Sequence, residues 1–246
     1  MHAKISISQF KLAVTAVFTA LVCAATVMFS IYVPATQGFF NIGESMVFLS
    51  ALLFGPVTGA FAGGVGSMLA DILLGFPHYA PATLIIKAFE GAVVGTLKKR
   101  NPKFSSNLRW KSLTLTLSLT AGVLIGYIGS VYYSGEVEIT LGFGTFRLYI
   151  PVEFWTFLGV FTALSVGATG LMFDPELGWT VLSVVVGGFC MVLGYFLYEW
   201  FLIYPLFKIE AVAAAEVPVN IGQMMIGAIV ALPIAKVVWR AFPYLK

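Results

Sequence analysis

Apolar residues run along this chain in long blocks separated by short polar breaks, not at the three-to-four or alternating spacing of half-exposed helices and strands. Eight blocks stand out: Phe10 to Val33, Gly43 to Phe54, Val57 to Gly75, Pro81 to Leu97, Ser112 to Tyr133, Val152 to Phe173, Trp179 to Tyr204 and Val217 to Trp239. A helix needs about 20 apolar residues to cross the hydrocarbon of a bilayer. The second block is short; at about 1.5 Å per residue it covers well under the roughly 30 Å core, so it must tilt, dip or begin inside the protein. The first block follows Lys4 and Lys11 and mimics a signal peptide. From Leu12 to Val33, however, it exceeds the usual apolar core of about 7 to 15 residues, and it reads as the first span. The pattern predicts an all-α polytopic membrane protein.

One stretch departs from it. Between Gly135 and Pro151, Val137, Ile139, Leu141 and Phe143 alternate with Glu136, Glu138, Thr140 and Gly142, and Phe146, Leu148 and Ile150 follow. Period two around Gly142 and Gly144 predicts a short external β-hairpin, either a connector or a lid on a binding site.

Composition agrees with a membrane solvent. The chain is 59% hydrophobic and 10% charged over 246 residues, with a mean hydropathy of +0.95, against about 25% charged residues in a soluble domain. With the N-terminus in the cytoplasm and the blocks alternating in direction, Lys98, Lys99, Arg100, Lys103, Arg109 and Lys111 fall inside with Lys4, Lys11, Lys236, Arg240 and Lys246. Only Arg147 and Lys208 fall outside. This is the positive-inside asymmetry; it places both termini in the cytoplasm of a plasma-membrane protein. It also accounts for the net charge of +3 without a nucleic-acid partner, leaving lipid as the surrounding medium.

Ionisable groups inside a membrane are costly, about 2.5 to 3.5 kcal/mol each on insertion scales, and therefore informative. Asn41 and Glu44 open the second block from outside, and Asp71 lies one turn before the outer end of the third. Lys87 and Glu90 lie in the outer part of the fourth, Tyr195 and Glu199 approach the outer end of the seventh, and Asn220 and Gln223 open the eighth. Lys87 with Glu90 and Asn220 with Gln223 are spaced i, i+3, and Tyr195 with Glu199 is spaced i, i+4, so each pair shares a helix face. The clustering at one depth predicts an interior cavity reached from the exterior. Other readings stay open. Asn41 and Glu44 have capping-box spacing, Lys87 and Glu90 suit an internal ion pair, and Asn220 and Gln223 suit interhelical hydrogen bonding. Asp71 is expected to pair with Lys87, and His78 reads as a loop residue.

Small residues form two seams. Gly55, Gly59, Gly63, Ser67, Asp71 and Gly75 recur every four positions in the third block and predict close intramolecular packing; Ala16, Ala20 and Ala24 in the first suit either internal packing or the docking of another membrane protein. Cys23 and Cys190 sit in apolar runs without metal-ligand spacing. The run Gly63 to Ser67 lacks the lysine of a phosphate-binding loop, and no H-E-x-x-H or G-x-S-x-G occurs. No metal, cofactor or catalytic constellation is predicted.

The stretch Asn41 to Leu97, NIGESMVFLSALLFGPVTGAFAGGVGSMLADILLGFPHYAPATLIIKAFEGAVVGTL, resembles the substrate-binding S components of energy-coupling-factor (ECF) vitamin transporters, particularly the riboflavin-transporter-like group. Met191 to Pro233, with GYFLYEW and EVPVNIGQMMIGAIVALP, is similar to the fifth and sixth helices of that family. The resemblance implies a six-helix subunit that captures a vitamin or related micronutrient from outside. It also implies as partners a transmembrane T component and two cytoplasmic ATPases, and docking to the T component through small residues of the first helix, here Ala16, Ala20 and Ala24. By position it points to Asn41, Glu44, Tyr79, Lys87, Glu90, Tyr195, Glu199, Asn220 and Gln223 as substrate-binding residues.

Residues 105–178 depart from the family pattern. They are expected to insert a pair of spans and the hairpin into a core formed by 10–104 and 179–240, within one membrane domain 1–246. Two rival functions remain at this stage: an autonomous ion-coupled transporter in which Asp71, Lys87 and Glu90 relay ions, and a membrane scaffold whose polar groups only hold helices together.

Overall fold

The apolar blocks become helices, and their ends are set by the residues that interrupt them. A computed structural model of the protein describes residues 7–33, 38–102, 107–132, 134–141, 144–172, 175–207 and 213–245. In chain order these form α1 (Ile7–Met28), β1 (Ser30–Val33), β2 (Gly38–Asn41), α2 (Glu44–Phe54), α3 (Pro56–Leu74), α4 (Ala80–Lys99), α5 (Asn107–Tyr132), β3 (Gly135–Leu141), β4 (Gly144–Ile150), α6 (Val152–Met172), α7 (Pro175–Tyr198) and α8 (Ala213–Ala241). α7 runs on as π-helix from Glu199 to Phe207. Among the described residues, five helices are long and apolar enough to cross a membrane: Gln9–Met28, Pro56–Leu74, Ala80–Lys99, Pro175–Ile203 and Val219–Ala241. Glu44–Phe54 and Val152–Ala168 are apolar but shorter. The chain is an all-α polytopic membrane protein carrying two small hairpins.

It divides into two compact units. One comprises Met1–Arg100 with Thr180–Lys246, and the other Asn101–Trp179. In the second unit α5 and α6 meet through glycine: a Cβ on Gly122 would stand 2.6 Å from the Gly159 carbonyl oxygen, and one on Gly159 would stand 2.5 Å from that of Gly122. Backbones that approach this closely leave no room for side chains. β3 and β4 are antiparallel, with Glu138 opposite Arg147. The period-two pattern thus gave the hairpin, and its turn at Gly142 lies outside the described residues.

Among its described residues the first unit holds six α-helices. Pro56 sits at the start of α3 and Gly75 closes it in the left-handed conformation (φ 88°), the usual positions for these two residues. The four-residue ridge of α3 is an internal seam. A Cβ on Gly59 would lie 2.9 Å from the Gly91 carbonyl oxygen of α4, one on Gly63 2.9 Å from that of Lys87, and the neighbouring Gly66 meets the Thr19 carbonyl of α1 at 2.7 Å. The apolar core beneath joins Phe48, Leu52, Val94, Val184, Met191, Met224 and Trp239.

The first apolar block needs correction. Its helix ends at Met28, and Ser30–Val33 pairs antiparallel with Gly38–Asn41. Ile31, Tyr32 and Val33 are β-branched or aromatic, and an apolar run alone cannot separate strand from helix. The seventh block likewise changes from α- to π-helix at Glu199. Lys4, Lys103, Lys208, Lys246 and His2 lie outside the described residues.

Candidate functional site

In the first unit one end of the bundle gathers the polar side chains. The carboxy-terminal turns of α1, α3 and α7 meet the amino-terminal turns of α2, α4 and α8, with β2 beside them. A cavity of about 40 Å³ lies between, lined by Thr26, Phe39, Asn41, Ser67, Asp71, Tyr79, Thr83, Lys87, Tyr195, Glu216, Asn220 and Gln223. Glu44, Glu90 and Glu199 stand behind this wall, each bonded to a residue in it.

Lys87 is 3% exposed and sits between two carboxylates. It donates to Oε2 of Glu44 and to Oε2 of Glu90, the latter at 3.1 Å. Neither glutamate is more than 1% exposed, and each keeps one oxygen without a hydrogen-bond partner. Pairing with these carboxyl groups offsets the cost of placing the ammonium in the membrane interior. Its third N–H bond is left for the cavity that it lines.

A second constellation ties β2 to α8. The side-chain oxygen of Gln223 accepts from the backbone N–H and from Nδ2 of Asn41, both at 3.1 Å, while Oδ1 of Asn41 accepts from the Gly43 N–H at 2.9 Å. Since Asn41 is anchored in this way, the two donors of the Gln223 amide remain free to serve the cavity.

The third is a hydroxyl pair. The Tyr195 hydroxyl donates to Oγ1 of Thr83 at 3.0 Å. Asp71 lines the same cavity, and its Oδ2 has no partner. Nearby, the Tyr79 hydroxyl reaches Oε1 of Glu199 at 3.4 Å, its ring packs 5.8 Å from that of Tyr198, and the Tyr198 hydroxyl donates to the His78 carbonyl. Burial, followed by the charges of Glu199 and Glu216, pushes the Tyr79 phenol above its ordinary value, so it stays a neutral donor. Burial lowers the pKa of His78, whose ring lies tilted against that of Tyr79 at 4.9 Å in the connection between α3 and α4.

Two expectations are corrected by this geometry. Asn41 and Glu44 do not form a capping box: α2 starts without a side-chain cap and the Glu44 carboxylate is drawn instead to Lys87. Asp71 does not form the expected ion pair with Lys87, whose two ion-pair partners here are glutamates. The structure also adds Thr26, Ser67, Thr83 and Glu216 to the cavity wall. Helical spacing could have found two of them, since Thr83 lies one turn before Lys87 and Glu216 one turn before Asn220. Ala16, Ala20 and Ala24 lie elsewhere, on an apolar groove between α1 and α3 that also includes Phe61, Leu69 and Leu73.

At the opposite end of the same unit, Lys98 of α4 lies 4.5 Å over the Trp239 ring of α8. Lys99, Arg100 and Arg240 belong to these same helix ends. The polar cavity and the basic end are thus opposite poles.

A six-helix membrane bundle with a polar cavity at one pole and basic residues at the other is the architecture of a membrane-embedded binding subunit. The chain belongs to the ECF-type riboflavin transporter S component family, whose model matches residues 6–142 and 143–240. Residues 105–178 fall within the matched stretches. An uncharacterized protein of the gap 3′ region of Pyrococcus woesei is 40% identical over 111 residues, covering 45% of this chain and 71% of the relative. The thiamine precursor transporter HmpT of Lactococcus lactis subsp. cremoris (strain MG1363) is 26% identical over 152 residues, covering 58% of this chain and 86% of the relative. This is a family of transporter components and not of enzymes, and it works in micronutrient uptake with an ECF partner module.

Proposed function

We propose that this chain is the substrate-capture subunit of an ATP-driven ECF importer, taking a vitamin-like small molecule from the extracytoplasmic side. The observation that carries the proposal is the meeting of Asn41, Tyr79, Lys87, Tyr195, Asn220 and Gln223 around one cavity, with Glu44, Glu90 and Glu199 fixing the orientation of that wall. Side chains of opposite and mixed character, converging from separate helices on an aromatic-lined space, are what a small-molecule site requires. The basic pole at the other end supports a cytoplasmic position for it, hence an external cavity and cytoplasmic termini. At about 40 Å³ the cavity has room for a few waters. A ring-sized ligand enters by parting the side chains and the β1–β2 hairpin above them.

The exposed stripe of Ala16, Ala20 and Ala24 is the docking face for the T component, with two ATPases completing the importer. Small side chains let another helix backbone come close where lipid offers no hydrophobic drive for association. The inserted unit 105–178 is an addition to the core within one membrane domain.

Purified protein in lipid nanodiscs, screened by native mass spectrometry and by thermal shift against vitamins and their precursors, tests the reading. Ligand-dependent stabilisation supports it, and an absence of binding to any small molecule rejects it. An ion-coupled transporter would instead move substrate in liposomes holding this chain alone, without ATPase subunits.

A further inference from the structure

We infer that the β3–β4 hairpin of the second unit is a membrane-surface anchor, lying in the lipid headgroup region with its apolar face against the bilayer, and not a lid on a binding site. This is independent of the capture reading, since it concerns residues 135–150 and lipid alone.

The hairpin is amphipathic by register. Val137 stands opposite Leu148 and Ile139 opposite Phe146, while at the alternate positions Glu136 stands opposite Tyr149 and Glu138 opposite Arg147. Directly opposed residues of an antiparallel pair share a face, and successive residues of a strand alternate between faces. The backbone therefore sorts the two strands into one apolar and one polar face, and a slip of one position would mix them. Glu136 and Tyr149, on the polar face, are exposed. A two-stranded hairpin alone is at best marginally stable in water, so its apolar face needs a cover.

The place where the hairpin emerges identifies that cover as lipid. Two positions, 133 and 134, separate α5 from β3, and Pro151 alone separates β4 from α6. Gly135, opposite Ile150, has a φ of 107°, which lets β3 leave the line of α5 at once. Both strands thus start at the level of the helix ends. Those ends expose Val131, Val152 and Phe154, apolar side chains that face acyl chains in a membrane protein. Tyr149, exposed beside them, has the place of an interfacial aromatic. An amphipathic element tethered at this level buries its apolar face by lying in the interface. Lipid already meets the base of both strands, whereas a protein partner would have to be brought there. Across residues 135–150 Glu136 and Glu138 outnumber Arg147, so apolar burial supplies the contact and phosphatidylcholine suffices for it.

The test uses the full chain in phosphatidylcholine nanodiscs, with Cys23 and Cys190 replaced by alanine and a nitrobenzoxadiazole fluorophore on one new cysteine at a time. Ile139→Cys and Leu148→Cys report on the apolar face, Glu136→Cys and Thr145→Cys on the polar face. Each is quenched by a nitroxide on the upper acyl chain of the lipid and, separately, by aqueous iodide. The expected ratio of lipid to iodide quenching is about fivefold higher on the apolar face than on the polar face. Equal iodide quenching at all four positions would show the hairpin standing in water, and apolar-face positions shielded from both quenchers would show a protein surface covering them. Either result overturns the inference. Because a label can disturb a short hairpin, the unaltered protein is also irradiated in nanodiscs holding a phosphatidylcholine with a diazirine near the acyl carbonyl. Lipid adducts are expected on residues 135–150 as well as on α5 and α6; adducts on the helices with none on the hairpin overturn the inference. Every outcome leaves the capture reading as it stands.

Discussion

Lys87 of α4 and Glu44 of α2, 43 positions apart, form an ion pair inside the bundle, and Glu90 completes the set at 3.1 Å from the same ammonium. All three are almost wholly buried. Removing one partner of such a set strands the others, a loss of about 3–5 kcal/mol. Lys87→Ala should therefore lower the unfolding free energy by that order, measured by denaturation in a fixed detergent. Replacing all three by the neutral isosteres Lys87→Met, Glu44→Gln and Glu90→Gln should cost less than the single change. A larger loss in the triple variant would show that the charges contribute more than mutual compensation.

Gln223 holds Asn41 through two hydrogen bonds to one oxygen. Gln223→Ala should leave both donors of Asn41 unmet, cost about 1–3 kcal/mol in stability, and weaken ligand binding by about tenfold or more, because β2 loses its tie to α8. Gln223→Glu keeps the acceptor and should restore the tie. Calorimetry on the two variants and the parent separates anchoring from simple loss of bulk.

Much of this was legible in the sequence, and the limits have physical causes. Long apolar blocks gave the helices, and the i, i+3 and i, i+4 polar pairs gave the faces that meet at the cavity. Ser30–Val33 was absorbed into a helix because a short apolar strand and a helix end look alike without a pairing partner, and that partner, Gly38–Asn41, lies further along the chain. Asp71 was matched with Lys87 because opposite charges invite pairing, whereas the nearer competition from Glu44 depends on how α2 packs against α4. Thr26 and Ser67 gave no signal, since a hydroxyl in a membrane helix can satisfy itself on its own backbone, as Thr26 does on Val22 at 2.8 Å.

The crossing of α3 and α4 tolerates no side chain at its centre. A Cβ on Gly91 would stand 2.2 Å from the Gly59 carbonyl oxygen. Gly91→Ala should force the helices apart and cost about 1–3 kcal/mol or more. Gly222 of α8 is the control: a Cβ there would meet only the Phe40 ring, at 3.8 Å, and Gly222→Ala should be neutral or stabilise by up to about 1 kcal/mol through helix propensity. Thermal denaturation of the two variants side by side checks the contrast.

Ala20 is exposed on α1, within the groove that α1 shares with α3. Ala20→Leu should reduce co-purification with a T component severalfold while ligand affinity stays within twofold of the parent, because the added bulk blocks backbone approach at a face remote from the cavity. Equal complex yield from both proteins would remove the docking role.

Sidedness of the cavity is tested most directly by thiol labelling in intact cells. Ser67 lines the cavity, and Ser67→Cys, in a chain with Cys23 and Cys190 replaced by alanine, places a reporter there with little change in volume. The account predicts labelling by a membrane-impermeant maleimide added outside, and protection by the ligand that the binding screen identifies. Labelling only after the membrane is permeabilised, or labelling from outside that the bound ligand does not slow, would contradict it.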